Sequence, residues 1–149
     1  MRSSRFLAAY GLLVFFLGAC TPPGPEPISD VDSLVARLRA EGAPAEPGGT
    51  IPSALFSVDG RLLLIGDEGI QAYEYGSESA AKADVARIHS GGEAGAGKTT
   101  WVVPPRFYLR GRLLVVYVGT DQNMLALMNE TLGPPLPEGG TVSRAAMKV

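Results

Sequence analysis

Two proline-rich stretches bracket everything this chain can fold. Thr21-Pro-Pro-Gly-Pro-Glu-Pro27 and Pro134-Pro-Leu-Pro-Glu-Gly-Gly140 are rich in prolines, which lack a backbone donor and fix φ, so neither stretch can continue a helix or enter a central strand. Ordered structure is therefore expected between them, as one domain over residues 28–133 of a 149-residue chain. A domain of that length buries roughly 60 to 70% of its unfolded surface. The first stretch predicts an extended tether over 20–27, reaching about 20 Å at about 3.1 Å per residue. Beyond the second, Thr141 to Val149 has no apolar period, and 134–149 is expected to be a disordered tail. With one Cys and one His, neither an internal disulfide nor a Cys/His zinc site can be built. Stability must come from packing, and no metal or cofactor is expected.

Ahead of the tether, Arg2 and Arg5 precede an uninterrupted apolar run from Phe6 to Leu17. At 12 residues the run falls short of the roughly 18 to 20 needed for a stable membrane-spanning helix. Its layout is that of an export signal over 1–19. The run ends in Leu17-Gly18-Ala19-Cys20, which resembles a bacterial lipobox. That resemblance implies a diacylglyceryl thioether on Cys20, which becomes the mature first residue carrying palmitate-like chains. Two or three acyl chains, at about 0.8 kcal/mol per buried methylene, hold a protein on a membrane almost irreversibly. Thr21, not Asp, follows the cysteine. By likeness to enterobacterial lipoproteins this implies an outer membrane, or the outer face of the cell membrane in a host with only one.

Removing Arg2 and Arg5 from 13 basic residues leaves 11 against 15 acids, a net of −4. An acidic mature chain has no basic patch for anionic headgroups and no overall excess of Lys and Arg to neutralise phosphates, so nucleic acid is excluded as a partner.

Within 28–133 the apolar periods alternate between helix and strand. Ser29-Asp-Val-Asp32 caps a first helix with Val31, Leu34, Val35 and Leu38 on one face, stopped by Gly42. Pro44, Pro47 and Gly48-Gly49 break the chain, so any strand at 43–46 is short and lies at an edge. Asp59-Gly60, between Ala54–Val58 and Arg61–Ile65, is the signal for a type I′ hairpin. Gly66-Asp-Glu-Gly69 turns the chain again into a strand over Ile70–Tyr75. Ser77 caps a second helix carrying Ala81, Val85 and Ile88 and ending at Gly91-Gly92. Thr99–Val103 and Arg112–Val118 read as strands, the latter apolar on both faces. Thr120 or Asp121 caps a last helix with Met124, Leu125, Met128 and Leu132 on one stripe, closed by Gly133. This order predicts a two-layer α+β domain, with about three helices packed on a largely antiparallel sheet of four to five strands.

The lipobox, the tether, Trp101-Val-Val-Pro-Pro-Arg-Phe-Tyr108 and Gly111-Arg-Leu-Leu-Val-Val-Tyr-Val-Gly119 together resemble small uncharacterised bacterial lipoproteins with one α+β domain. The likeness covers most of residues 1–133. It implies address and layout, and supplies no catalytic residue.

Gly92-Glu-Ala-Gly-Ala-Gly-Lys-Thr99 matches the Walker A pattern to the letter. Its Gly92, Gly97, Lys98 and Thr99 are the residues that would cradle phosphate and reach magnesium. Such a loop needs a buried strand before it and a helix after it. Here a helical period precedes it, and Thr100-Trp-Val-Val-Pro-Pro105 cannot form the following helix. We therefore take the match as spurious, a glycine-rich connection. A nucleotide-binding protein and a small-ligand carrier with an apolar cavity remain the rivals to be weighed. His89 ends the second helix as an ordinary C-terminal cation, and Asp67-Glu68 are turn residues. Arg106, Phe107, Tyr108, Arg110 and Arg112, joined by Trp101, are expected to crowd the tip between the last two strands. Arg and aromatic residues dominate binding hot spots, which makes this the candidate contact for another envelope protein. No catalytic constellation stands in its proper context. The expectation is a non-enzymatic, lipid-anchored binding or accessory module outside the cytosol.

Overall fold

The computed structural model describes residues 27–89, 93–94 and 103–137. The export signal, Cys20, Trp101, Gly92 and Gly97-Lys98-Thr99 lie outside the described residues. Helix α1 (Val31–Ala40) starts on a reciprocal capping box: Ser33 N donates to Asp30 Oδ1 at 2.8 Å, and the Asp30 amide donates to Ser33 Oγ at 3.1 Å. Val31, Leu34, Val35 and Leu38 are its buried face, as their spacing requires.

Strands β1 (Ala45–Ile51), β2 (Gly60–Ile65) and β3 (Glu68–Glu74) form a meander. Helix α2 (Glu78–Val85) and a two-residue ribbon, β4 (Ile88–His89) with β5 (Glu93–Ala94), follow. Strands β6 (Arg106–Arg110) and β7 (Leu113–Tyr117) make a hairpin turning on Gly111-Arg112. Helix α3 (Gln122–Leu132) ends the order. The five long strands make an open antiparallel sheet in the order β1-β2-β3-β7-β6, so the domain is α+β.

Its helices divide between the two faces. The α1 residues, together with Met124, Met128 and Leu132 of α3, pack on Leu63, Ile65, Ile70, Ala72, Tyr108, Val115 and Tyr117. Behind the sheet, Ala81 and Val85 of α2 and Phe56 pack on Tyr73, Tyr75, Leu114 and Val116. The expected two layers are thus a sheet covered on both sides, which is why all five residues of β7 are buried.

Several local expectations need correction. Pro47 and Gly48-Gly49 do not end a strand at 46. The edge strand β1 runs on to Ile51 with a register irregularity between Pro47 and Thr50, the kind of bulge that edges accommodate. Residues 54–58 are a bent connection, not a strand. Ser53 Oγ accepts from Phe56 N at 2.9 Å, and Asp84 Oδ2 accepts from Ser57 N at 2.7 Å, so these amides have no strand partner. Asp59-Gly60 is accordingly no hairpin turn. Gly60 belongs to β2, and a Cβ there would stand 2.6 Å from the Tyr73 ring; glycine is needed for contact and not for a left-handed φ. The tight turn comes one strand later, at Gly66 (φ 61°) and Asp67, between Ile65 and Glu68. Helix α2 stops at Val85, and Ile88 sits in β4. Of the strand expected at 99–103 only Val103 is among the described residues; β6 begins at Arg106, just after Pro104 and Pro105, which cannot supply ladder donors. The first residues of the expected tail, 134–137, lie on the domain: Leu136 N donates to Phe107 O at 2.7 Å.

Candidate functional site

Three places on the described surface gather groups with chemical potential. At the start of α1, Glu74 from the end of β3 accepts from Val31 N at 3.2 Å, meeting one of the orphan amides of the helix. Arg112, from the β6–β7 turn, reaches the same carboxylate at 2.6 Å, donates to Tyr75 O at 3.2 Å and stands 3.7 Å from Asp30. Hydrogen bonds from the Ser33 hydroxyl and amide hold the Asp30 carboxyl below its ordinary value of 3.8. Arg61 and Asp32 complete the rim at 3.9 Å, both well exposed. Beside this crossing a cleft of about 290 Å³ is lined by Val31, Thr50, Asp59, Gly60, Arg61, Ala72 and Glu74. It lies at the rim of the sheet with a charged lining, unlike the apolar cavity a lipid or hydrophobic-ligand carrier uses. Glu74 is already engaged, and Thr50 is the only hydroxyl in the lining. The arrangement fastens α1 and the β6–β7 turn to the end of β3.

The second place is behind the sheet. Asp84 of α2 is 4% exposed. It accepts from Ser57 N at 2.7 Å and Ser57 Oγ at 2.8 Å, and it pairs with Arg87. A buried carboxylate persists only when paired and hydrogen-bonded in this way. Nearby, the Tyr75 hydroxyl is buried without a partner among the described residues, and burial pushes it up to about 12. Tyr73, stacked at a tilt on Phe56 with centroids 4.4 Å apart, donates its hydroxyl to Gln71 at 2.7 Å; burial raises it as well. Ser57 and Asp84 look like half of a catalytic pair. Yet both Ser57 donors point at a carboxylate that already holds a guanidinium, so the contact ties the 52–59 connection to α2. Sequence reasoning missed Asp84. The only signal was an acid beside the apolar stripe Ala81 and Val85, where a solvated position would be the ordinary assumption.

The third place is the β6–β7 hairpin. Arg106 and Arg110 flank Tyr108 on one face of β6, the alternation that strand geometry imposes. Tyr108 is buried under α3, its hydroxyl 3.5 Å from Asn129, and burial raises its pKa. Phe107, on the opposite face, packs with the second cluster beside Leu136. Arg112 is spent on Glu74 and Asp30. The residues expected to crowd one tip are thus dispersed over a strand, with Arg106 and Arg110 on one side and Phe107 on the other.

His89 and Glu93 are paired positions of the β4–β5 ribbon, so His89 is not a helix terminus. Glu93-Ala94, inside the Walker A-like stretch, are extended and ladder-paired, and residues 103–105 are not helical. Among the described residues no group of three His, Cys, Asp or Glu side chains is arranged to hold a metal ion, and no helix is long and apolar enough to cross a membrane. Neither protein-family models, nor curated proteins, nor solved structures match the chain.

Proposed function

We propose that this chain is an exported protein held on a membrane by acyl chains on Cys20, with the α+β domain serving as a binding or accessory module of the cell envelope. The observation that carries the reading is the position of the only thiol. Cys20 closes an apolar run of export length and opens a proline-rich tether, and the α1 capping box follows it in sequence, formed by Asp30 and Ser33. Anchor, spacer and domain follow in the order a surface-tethered protein needs. What supports a binding role is the use to which the polar groups are put. Asp84, Glu74, Arg112 and Ser57 fasten elements to one another, which yields a rigid body whose outer strand can be offered to a partner.

The test compares wild type with Cys20→Ala in a bacterial host fed radiolabelled palmitate. Wild type is expected to take up label and sediment with membranes. The variant is expected to lose the label. Equal labelling, or an unlabelled wild type in the soluble fraction, overturns the reading.

A further inference from the structure

The outer edge of β6 already carries a stand-in for a ligand. Among the described residues the sheet ends at this strand, and Phe107 O, by accepting from Leu136 N at 2.7 Å, shows which of its backbone groups face outward. In an antiparallel strand alternate residues share a direction, so the N–H and C=O of Leu109 face the same way. The chain leaves α3 at Gly133, whose Cα carries the Arg110 guanidinium against it. It reaches the Phe107 backbone at Leu136, so 133–136 passes from the Arg110 side chain to Phe107, opposite in sense to β6. Three of the four residues in Pro134-Pro-Leu-Pro137 have no N–H, and Leu136 is the sole donor this segment offers to the edge. Its side chain joins Phe107 and Leu109 at the second cluster. This is the place of a sixth strand, filled by a segment that makes one ladder bond.

We propose that the β6 edge accepts an extended peptide whose residues alternate apolar and polar, with acids four residues apart, and that residues 134–137 are a weak occupant which this peptide displaces. On one face of the added strand, carboxylates meet Arg106 and Arg110, which stand four residues apart on either side of Tyr108. On the other face, apolar side chains take the position of Leu136 beside Phe107 and Leu109. Main-chain bonds supply affinity and the alternate side chains supply selectivity, as in other strand additions. A second copy of this chain fits poorly. An antiparallel β6–β6 pair would set Arg106 and Arg110 against the same cations of the other copy, and like charges directly opposed are unfavourable. The inference deepens the binding-module reading and is independent of the anchor, so loss of one leaves the other standing.

The test uses the full chain in detergent micelles and two synthetic peptides, Thr-Val-Glu-Val-Thr-Val-Glu-Val and the same sequence with Lys in place of Glu. Binding is followed by amide NMR and calorimetry. The acidic peptide is expected to bind and to shift the amides of Phe107 and Leu109; the Lys peptide is expected not to bind. Leu136→Gly keeps the N–H that bonds Phe107 but strips the side chain that holds the segment down, which weakens the competing occupant and tightens binding by about tenfold, the weight of a half-buried leucine. Arg110→Glu weakens it by about fivefold. Should Leu136→Gly fail to fold, Leu136→Ala gives a smaller gain of the same sign. Absence of binding to both wild type and the Leu136 variant overturns the proposal. So do equal binding of the two peptides, indifference to Arg110→Glu, and a Leu136→Gly chain that pairs with itself instead.

Discussion

Replacing Gly60 by alanine drives a methyl group into the ring of Tyr73. The new Cβ would lie 2.6 Å from Cε1, 2.9 Å from Cζ and 3.1 Å from Cδ1. The ring has little room to retreat: it is 3% exposed, packed on Phe56 and held through its hydroxyl by Gln71. Overpacking of this kind costs about 1 to 3 kcal/mol, which for a domain of this size lowers Tm by roughly 5 to 20 °C. Thermal and urea unfolding followed by circular dichroism measure it. Gly60→Asn separates the two accounts of this glycine. A type I′ turn would accept asparagine readily, whereas a strand lying over Tyr73 rejects it more strongly than alanine. Tyr73→Leu clears the space, so Gly60→Ala should cost less in that background, with a coupling of about 1 kcal/mol or more. A Gly60→Asn protein as stable as wild type, or a cycle with no coupling, refutes the packing argument.

Asp84→Ala removes the acceptor shared by the Ser57 amide and hydroxyl and should destabilise by about 1 to 3 kcal/mol; thermal unfolding and faster exchange of the Ser57 amide report it. Asp30→Ala should cost about 1 kcal/mol at neutral pH through loss of the α1 cap. Because the folded Asp30 carboxyl sits below 3.8, its stabilising effect is complete above that value and fades as pH falls through the folded pKa. The gap between wild type and variant in a pH series of urea midpoints should therefore close only in strong acid. Tyr75→Phe removes a buried hydroxyl with no partner among the described residues and should be neutral or stabilising by up to about 1 kcal/mol. The neutral phenol is favoured in the fold up to about 12, against 10.0 ordinarily. Stability conferred by Tyr75 is thus intact below pH 10 and lost as pH climbs toward 12, which ultraviolet difference titration can follow.

The helical stripes were legible because their periods are long and their caps local: Val31, Leu34, Val35, Leu38 and Met124, Met128, Leu132 are buried as spaced. So was the apolar β7 strand, whose five residues admit no solvated face. The errors share a cause, which is that local signals were outvoted by distant partners. Asp59-Gly60 reads as a turn until Tyr73, thirteen residues on, occupies the space above the glycine. Residues 54–58 read as the first arm of a hairpin ahead of Asp59-Gly60, yet the carboxylate of Asp84 binds the amide of Ser57 across twenty-seven positions. The Arg106–Arg112 cluster is compact in sequence, but strand alternation sends neighbours to opposite faces and Glu74 captures Arg112. Asp84 itself carried no sequence mark, since only the folded connection makes its position buried. No period or spacing discloses that Leu136 returns to the β6 edge, because a single bond in a proline-rich segment leaves no pattern.

Intact-mass spectrometry of the protein extracted from bacterial membranes tests the anchoring account most directly. The account predicts one species that begins at Cys20 and carries a diacylglyceryl thioether with an acylated amino terminus. A full-length species of 149 residues with a free thiol, recovered from the cytosol, would contradict it.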